Sequence, residues 1–257
     1  MLNIALVAGS GRNNSQSGKV ARFIRQRLIQ LEHSTDAQSS LIDLGLAPLP
    51  LWPAEDAGPW ELYRKQLQAA DAVVIVAPEW NGMACPAIKN FFIYASKAEL
   101  AHKPGLLVGV SSGIGGAYPI SELRASSYKN CRLCYLPEHL IVRQVEKVLN
   151  GPQAVDEADQ RIRARIDYAL DVLVRYARAL RPVREARRGA RGQRGTTRRP
   201  ARPDRSNAAA DSSVRGSPRL WCIPLKAPRW SGAMRRFCST TSPLRSPANR
   251  CAPGPTS

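Results

Sequence analysis

The 257-residue sequence is notable first for what it lacks. No apolar run approaches the roughly 18 residues that cross a bilayer. The first residues lack a basic segment, a long apolar stretch and a small-residue cleavage site, so no secretory leader is expected and the reading is cytoplasmic. Only 3 histidines occur, His33, His102 and His139, at spacings that suit no metal. Cys131 and Cys134 stand in CxxC spacing but have no second pair, and they do not open a helix after a strand. Reduced structural thiols are expected there rather than a redox or zinc site. No Ser-His-Asp arrangement is present. Acidic residues are scarce in one part of the chain only: residues 187–257 hold 2 Asp+Glu against 16 Lys+Arg, whereas residues 1–186 hold 18 against 22. The formal charge of +18 is therefore a property of the tail.

That tail is rich in Arg, Pro, Ser, Gly and Ala, lacks periodicity and offers no core, so it is expected to be disordered. Non-specific, salt-sensitive contact with nucleic acid is one use for it. Translation of GC-rich DNA in a shifted or read-through frame is another origin for the same composition. Residues 1–186 are read as the folded domain.

Within that domain, short apolar runs alternate with amphipathic stretches. Strands are expected at Ile4 to Ala8, Ser39 to Leu44, Asp71 to Ala77, Lys103 to Ser112 and Leu140 to Val142. Helices are expected at Gly18 to Leu31, Pro59 to Ala70, Pro86 to about Ala98, about Tyr118 to Asn130, and Asp156 to Leu180. DAVVIVA is apolar on both faces, as a central parallel strand must be. The alternation argues for an α/β doubly wound sheet of five parallel strands in the order 2-1-3-4-5. The turns after the first, third and fourth strands then converge on the switch point between strands one and three.

Those three turns carry the chemistry. Gly9–Ser17, GSGRNNSQS, joins a strand to a helix N-terminus, where backbone N–H groups and the helix dipole face an anion. It has no third glycine at position 14, where Asn14 sits, and no Walker lysine. It therefore suits a terminal monophosphate better than a dinucleotide or triphosphate. Pro78–Pro86, PEWNGMACP, and Ser111–Ala117, SSGIGGA, are read as the loops that complete one ligand site. Trp52, Trp60 and Trp80 are candidates for a lid, a subunit contact or ring stacking. Lys89 and Asn90 are read as supporting the helix that follows the second loop.

In their order and spacing, GSGRNNSQSGKVA, PEWNGMACPAIKN and SSGIGGA resemble the motifs of the NADPH-dependent FMN reductase family, the flavodoxin-like quinone, chromate and azo reductases. The resemblance covers about residues 1–180. It implies a flavodoxin-like fold, with Ser10, Arg12, Ser15 and Ser17 on the FMN phosphate. Pro78, Glu79, Trp80 and Asn81 would lie along the isoalloxazine ring, and Ser111, Ser112, Gly113 and Gly116 on its other side. NADPH or NADH would pass hydride to flavin N5, and the electrons would go to a quinone, an azo compound, a metal oxyanion or free flavin. No dedicated acid or base is required, because the cofactor carries the chemistry. A homodimer or homotetramer is also implied. Two positions depart from the family pattern: Trp80 replaces the usual tyrosine, and Ala-Tyr-Pro follows the glycines where a basic residue is common. An electron carrier or flavin-binding regulator without turnover has the same cofactor motifs.

Overall fold

The computed structural model describes residues 1–186; the basic tail from residue 187 lies outside them. The main strands and helices follow in the order β1 (Ile4–Ala8), α1 (Gln16–Gln30), β2 (Ser39–Asp43), α2 (Trp60–Ala69), β3 (Ala72–Trp80), β4 (Met83–Ala84), α3 (Pro86–Tyr94), α4 (Lys97–Leu100), β5 (Pro104–Val110), α5 (Tyr118–Ser126), β6 (Cys134–Val142) and α6 (Glu157–Ala179). Five strands form a parallel sheet in the order β2-β1-β3-β5-β6, and β4 pairs antiparallel with β3. The expected 2-1-3-4-5 winding is observed, with one short strand added.

The pleat divides the core in two. Ile4, Leu6, Ala8, Val74, Val76 and Val108 face α1 and α6, where Ile24, Leu28, Leu170 and Leu173 cover them. Ala5, Val7, Val73, Ile75 and Leu107 face the opposite layer, with Leu67 of α2, Phe91 of α3 and Leu123 of α5. Strands buried on both faces cannot show apolar/polar alternation, which accounts for the continuous apolar runs in the sequence.

Several boundaries differ from expectation, among them α5, which ends at Ser126 and not near Asn130. β3 runs three residues past Ala77, to Trp80. The helix after Pro86 stops at Tyr94, and α4 begins afresh with a capping box in which Ser96 and Glu99 satisfy each other's backbone. β6 is nine residues long, not three. Its register shifts between the pairs Gly105–Tyr135 and Leu107–His139. Pro137 sits inside that irregularity, at the sheet edge where a residue without an N–H is tolerated. Arg124 of α5 donates to the carbonyls of Leu136 and Pro137 at 2.6 and 3.1 Å, covering groups the ladder leaves unpaired.

The two loop tryptophans have a structural role. The Trp52 ring meets Tyr94 edge-on at 5.2 Å, and Trp60 packs on Tyr94 and Phe91 at 5.5 and 6.4 Å. Asn90 accepts from Trp52 N at 3.0 Å and donates to Pro50 O at 2.8 Å. Together these contacts pin the proline-rich loop onto α3.

Candidate functional site

The turn after β1 is held open by its own residues. Gly9 N donates to Val76 O at 2.8 Å, keeping the exit of β1 against β3. Ser10 is buried and its Oγ accepts from Arg12 N at 3.2 Å. Ser15 is the N-cap of α1; its Oγ accepts from Gly18 N at 3.0 Å. Both hydroxyls accept from backbone and so keep their own protons to donate outward. Ser17 is 1% exposed, yet its Oγ has no partner. A buried hydroxyl without a partner costs on the order of 1–3 kcal/mol, and an anion at this helix start would remove that cost. The first turn of α1 contains no acidic residue to repel one. These donors fit a phosphate.

The second loop is a hairpin rather than the irregular loop expected. Glu79 pairs with Ala84 and Trp80 with Met83. The turn between them is Asn81-Gly82, with φ of 49° and 72°. Left-handed backbone at both central positions is what a two-residue type I′ turn demands, and Asn-Gly is its strongest sequence signal. The hairpin carries Trp80 to the first loop, where the Arg12 guanidinium lies 4.7 Å from the indole centroid. Its returning strand is anchored from outside: Ala84 N donates to Glu122 Oε2 at 2.7 Å, and Lys89 Nζ to Glu122 Oε1 at 2.8 Å. Those bonds, the lysine first, hold the Glu122 carboxyl below the usual range. Burial pushes the Cys85 thiol up, so it stays protonated at neutral pH and donates to Gly9 O at 2.8 Å. Two loops far apart in sequence are thereby stitched together.

The third loop is shaped by Gly116, at φ 99°, where a Cβ would come within 2.7 Å of Ile141 Cγ2. Ser111 Oγ accepts from Gly113 N at 3.2 Å. The loop is clamped from both sides. Glu79 Oε2 accepts from Gly116 N at 2.6 Å and from Tyr118 N at 3.3 Å. It therefore supplies the N-terminal cap that Ala117 cannot give α5. On the outer side, Gln144 N donates to Gly113 O at 2.8 Å, Val145 N to Ser111 O at 3.1 Å, and Arg143 Nε to Gly115 O at 3.2 Å.

The structure thus brings the loops carrying Ser10, Arg12, Ser15 and Ser17, Pro78, Glu79, Trp80 and Asn81, and Ser111, Ser112, Gly113 and Gly116 to one edge of the sheet. Glu79 is turned toward the third loop's backbone. Asn81 forms the hairpin turn and is exposed, as are Ser112 and Gly113. The Glu122–Lys89 anchor and the Arg143 contact have no local signal in the sequence, since only tertiary packing pairs those positions. Cys131 is buried, Cys134 half-buried, and both are free. No cluster of His, Cys, Asp or Glu able to hold a metal ion occurs among the described residues.

A family model described as NADPH-dependent FMN reductase matches residues 2–147, more than half the chain. The chain belongs to this family. FMN is the family's cofactor and NAD(P)H its co-substrate, and the chain spans a little under two thirds of the length of several curated relatives it matches. Among curated relatives, an NADPH azoreductase of Bacillus sp. (strain OY1-2) is 30% identical over 115 residues, spanning 43% of this chain and 65% of the relative. A 2-hydroxy-1,4-benzoquinone reductase of Burkholderia sp. is 30% identical over 164 residues, spanning 61% and 87%. Among solved structures, the flavoenzyme NAD(P)H:(acceptor) oxidoreductase FerB from Paracoccus denitrificans shares the fold with a TM-score of 0.56 at 19% identity, covering 70% of this chain and 98% of FerB. This chain carries GSGRNNSQS between β1 and α1, and PEWNGMACP and SSGIGGA after the apolar runs of β3 and β5.

Proposed function

We propose that the protein is an FMN-dependent NAD(P)H oxidoreductase whose physiological acceptor is an aromatic quinone or azo compound. The observation that carries the reading is the buried, unpartnered Ser17 hydroxyl at the start of α1, next to the free protons of Ser10 and Ser15. With Arg12 these residues hold the terminal phosphate of FMN by charge-assisted bonds. Bound there, FMN supplies the two-electron chemistry between donor and acceptor. The hairpin presents Trp80 as an aromatic wall. The Gly113–Gly116 loop presents backbone N–H groups, which stabilise negative charge without any side chain having to ionise.

The choice of acceptor rests on the rim of the site. Ile114 is 80% exposed, Tyr118 66% and Met83 55%, and no basic residue stands between Ser111 and Leu123. Gly82 lies against the Tyr118 ring. These exposed apolar side chains suit a flat aromatic acceptor. A NAD(P)H donor is consistent with a cytoplasmic protein, and so are the free thiols of Cys131 and Cys134. Exposed Leu51, Trp52 and Ile93 on and beside α3 offer apolar surface for a homodimer or homotetramer.

Anaerobic spectroscopy of the purified protein tests the reading. Flavin bands should be present, or appear on FMN titration, and should bleach on NADPH addition and return with benzoquinone. Absence of FMN binding overturns it. Bleaching without turnover on any acceptor would point instead to a carrier or regulator.

A further inference from the structure

Lys19 lies in the first turn of α1, two positions after the unpartnered Ser17. Its charge is spent away from the phosphate turn. A lysine ammonium has three protons, and here it has three acceptors. Nζ donates to Val145 O at 2.5 Å, to Val148 O at 3.0 Å and to Asn150 Oδ1 at 2.7 Å. Burial lowers its pKa, with Glu146 and Asp159 acting in the opposite direction. A cation drawn partly out of water to meet carbonyls more than a hundred positions away holds two parts of the chain together.

The segment it grips is the one that clamps the third loop. Val145 gives its carbonyl to Lys19 and its N–H to Ser111 O, the latter at 3.1 Å. Gln144 N donates to Gly113 O at 2.8 Å. Val145 thus links the helix of the phosphate turn to the loop after β5, with one bond on each side. It is 1% exposed, so bulk water does not compete for either bond. The far end of the segment has its own anchor: Leu149 N donates to Asp159 Oδ1 at 2.9 Å, and Arg163 Nε donates to the same oxygen at 3.0 Å. That anchor to α6 keeps the segment in place without Lys19, whose bonds set its distance from α1.

We infer that Lys19 is a positioning residue that fixes the spacing between the phosphate turn and the ring-side loop, so that one FMN engages both. The inference rests on the reductase reading above. Lys19 itself touches no flavin. It acts on the effective concentration of the second half-site once the first is filled, which falls when the two halves are free to drift apart.

The test uses the full-length, FMN-free protein and three probes: FMN, riboflavin, which has the ring without the phosphate, and inorganic phosphate. Flavin fluorescence reads the first two, and competition against FMN reads the third. Lys19→Met keeps the aliphatic stem and removes all three donors. FMN affinity should fall at least about tenfold, the scale of a charge-assisted bond, while riboflavin and phosphate each stay within about twofold of wild type. Lys19→Arg keeps donors for the carbonyls and should recover most of the loss. Asn150→Ala removes one acceptor on the exposed side and should give the same pattern at about two- to fivefold; it decides the matter if Lys19→Met does not fold. An unchanged FMN affinity overturns the assignment. Equal losses for all three probes also overturn it, because a general loosening of the fold gives that result. A wild type that binds FMN but neither riboflavin nor phosphate overturns it too, since half-sites held at one spacing must each bind alone. Failure of the wild type to take up FMN, read first, overturns the reductase reading and the inference with it.

Discussion

Glu79 and Gly116, 37 positions apart, are joined by a 2.6 Å hydrogen bond from the glycine N–H to the carboxylate. The same carboxylate oxygen accepts from Tyr118 N at 3.3 Å. One side chain from the end of β3 thus sets the loop after β5 and caps the helix that follows. Its function is to position the third loop.

Replacing Glu79 with Ala leaves two backbone N–H groups without their acceptor, at a cost of about 1–3 kcal/mol. The expected outcome is a lower urea midpoint, together with FMN affinity reduced on the order of tenfold as the loop loosens. Glu79→Gln keeps one acceptor oxygen and should recover most of both. Equal losses in the Ala and Gln variants would show that charge, and not acceptor geometry, holds the loop.

Ser17→Ala separates a ligand role from a structural one. The hydroxyl makes no bond within the protein, so its removal should leave the stability of the FMN-free protein unchanged or slightly raised. If it donates to the FMN phosphate, affinity for FMN should fall by about ten- to a hundredfold, the worth of one charge-assisted bond. Thermal melts without FMN and a flavin-fluorescence titration give the two numbers.

Gly82→Ala tests the hairpin. A Cβ there would meet Tyr118 no closer than 4.0 Å, so the penalty is conformational only, about 1–2 kcal/mol for left-handed backbone in a non-glycine residue. Chemical denaturation of wild type and variant measures it. A change under about 0.3 kcal/mol, well below that penalty, would mean that the turn is not left-handed at this position.

The Glu122 anchor makes a pH-dependent contribution. Its folded carboxyl lies below the unfolded value, through Lys89 first and the Ala84 N–H second. The stabilisation is therefore fully present above the unfolded glutamate pKa of about 4.3 and is lost as pH falls through the lower folded value. Glu122→Gln should be less stable than wild type at pH 7, and the two should converge as pH drops below about 4. Urea midpoints across that range provide the check; a constant gap would sink the linkage.

Removal of residues 187–257 should leave FMN binding and NADPH oxidation intact, because all three loops and the family match, residues 2–147, lie before residue 187. It should also abolish any salt-sensitive retention on immobilised DNA, since 16 of the 38 basic residues go with it. Loss of flavin binding in the shortened chain would overturn the division of the molecule at residue 186.

Much of the fold was legible in the sequence because its signals are local. The runs IALVA and AVVIVA are apolar at every position since both faces of a parallel sheet are covered, and that marks them as inner strands. Val20, Ile24 and Leu28 recur at helical spacing because one stripe of α1 faces the sheet. The Asn-Gly pair is equally local, but β4 is only two residues long, too short to show a strand pattern. The full extent of β6 was obscured by Pro137, which reads as a strand breaker until its edge position is known.

The sequence alone determined the five parallel strands and their winding, and the composition of the three loops at one edge of the sheet. These depend on periodicity, turn chemistry and caps, which act over a few residues. Only the tertiary structure decided that Glu79 turns to Gly116, that Glu122 and Lys89 anchor the hairpin, that Trp52 and Trp60 pack on α3, and that Arg143 reaches Gly115. Each of those contacts joins residues brought together by the winding of the sheet. No local pattern encodes such a pairing, because the energy that selects it comes from burying both faces of the sheet at once.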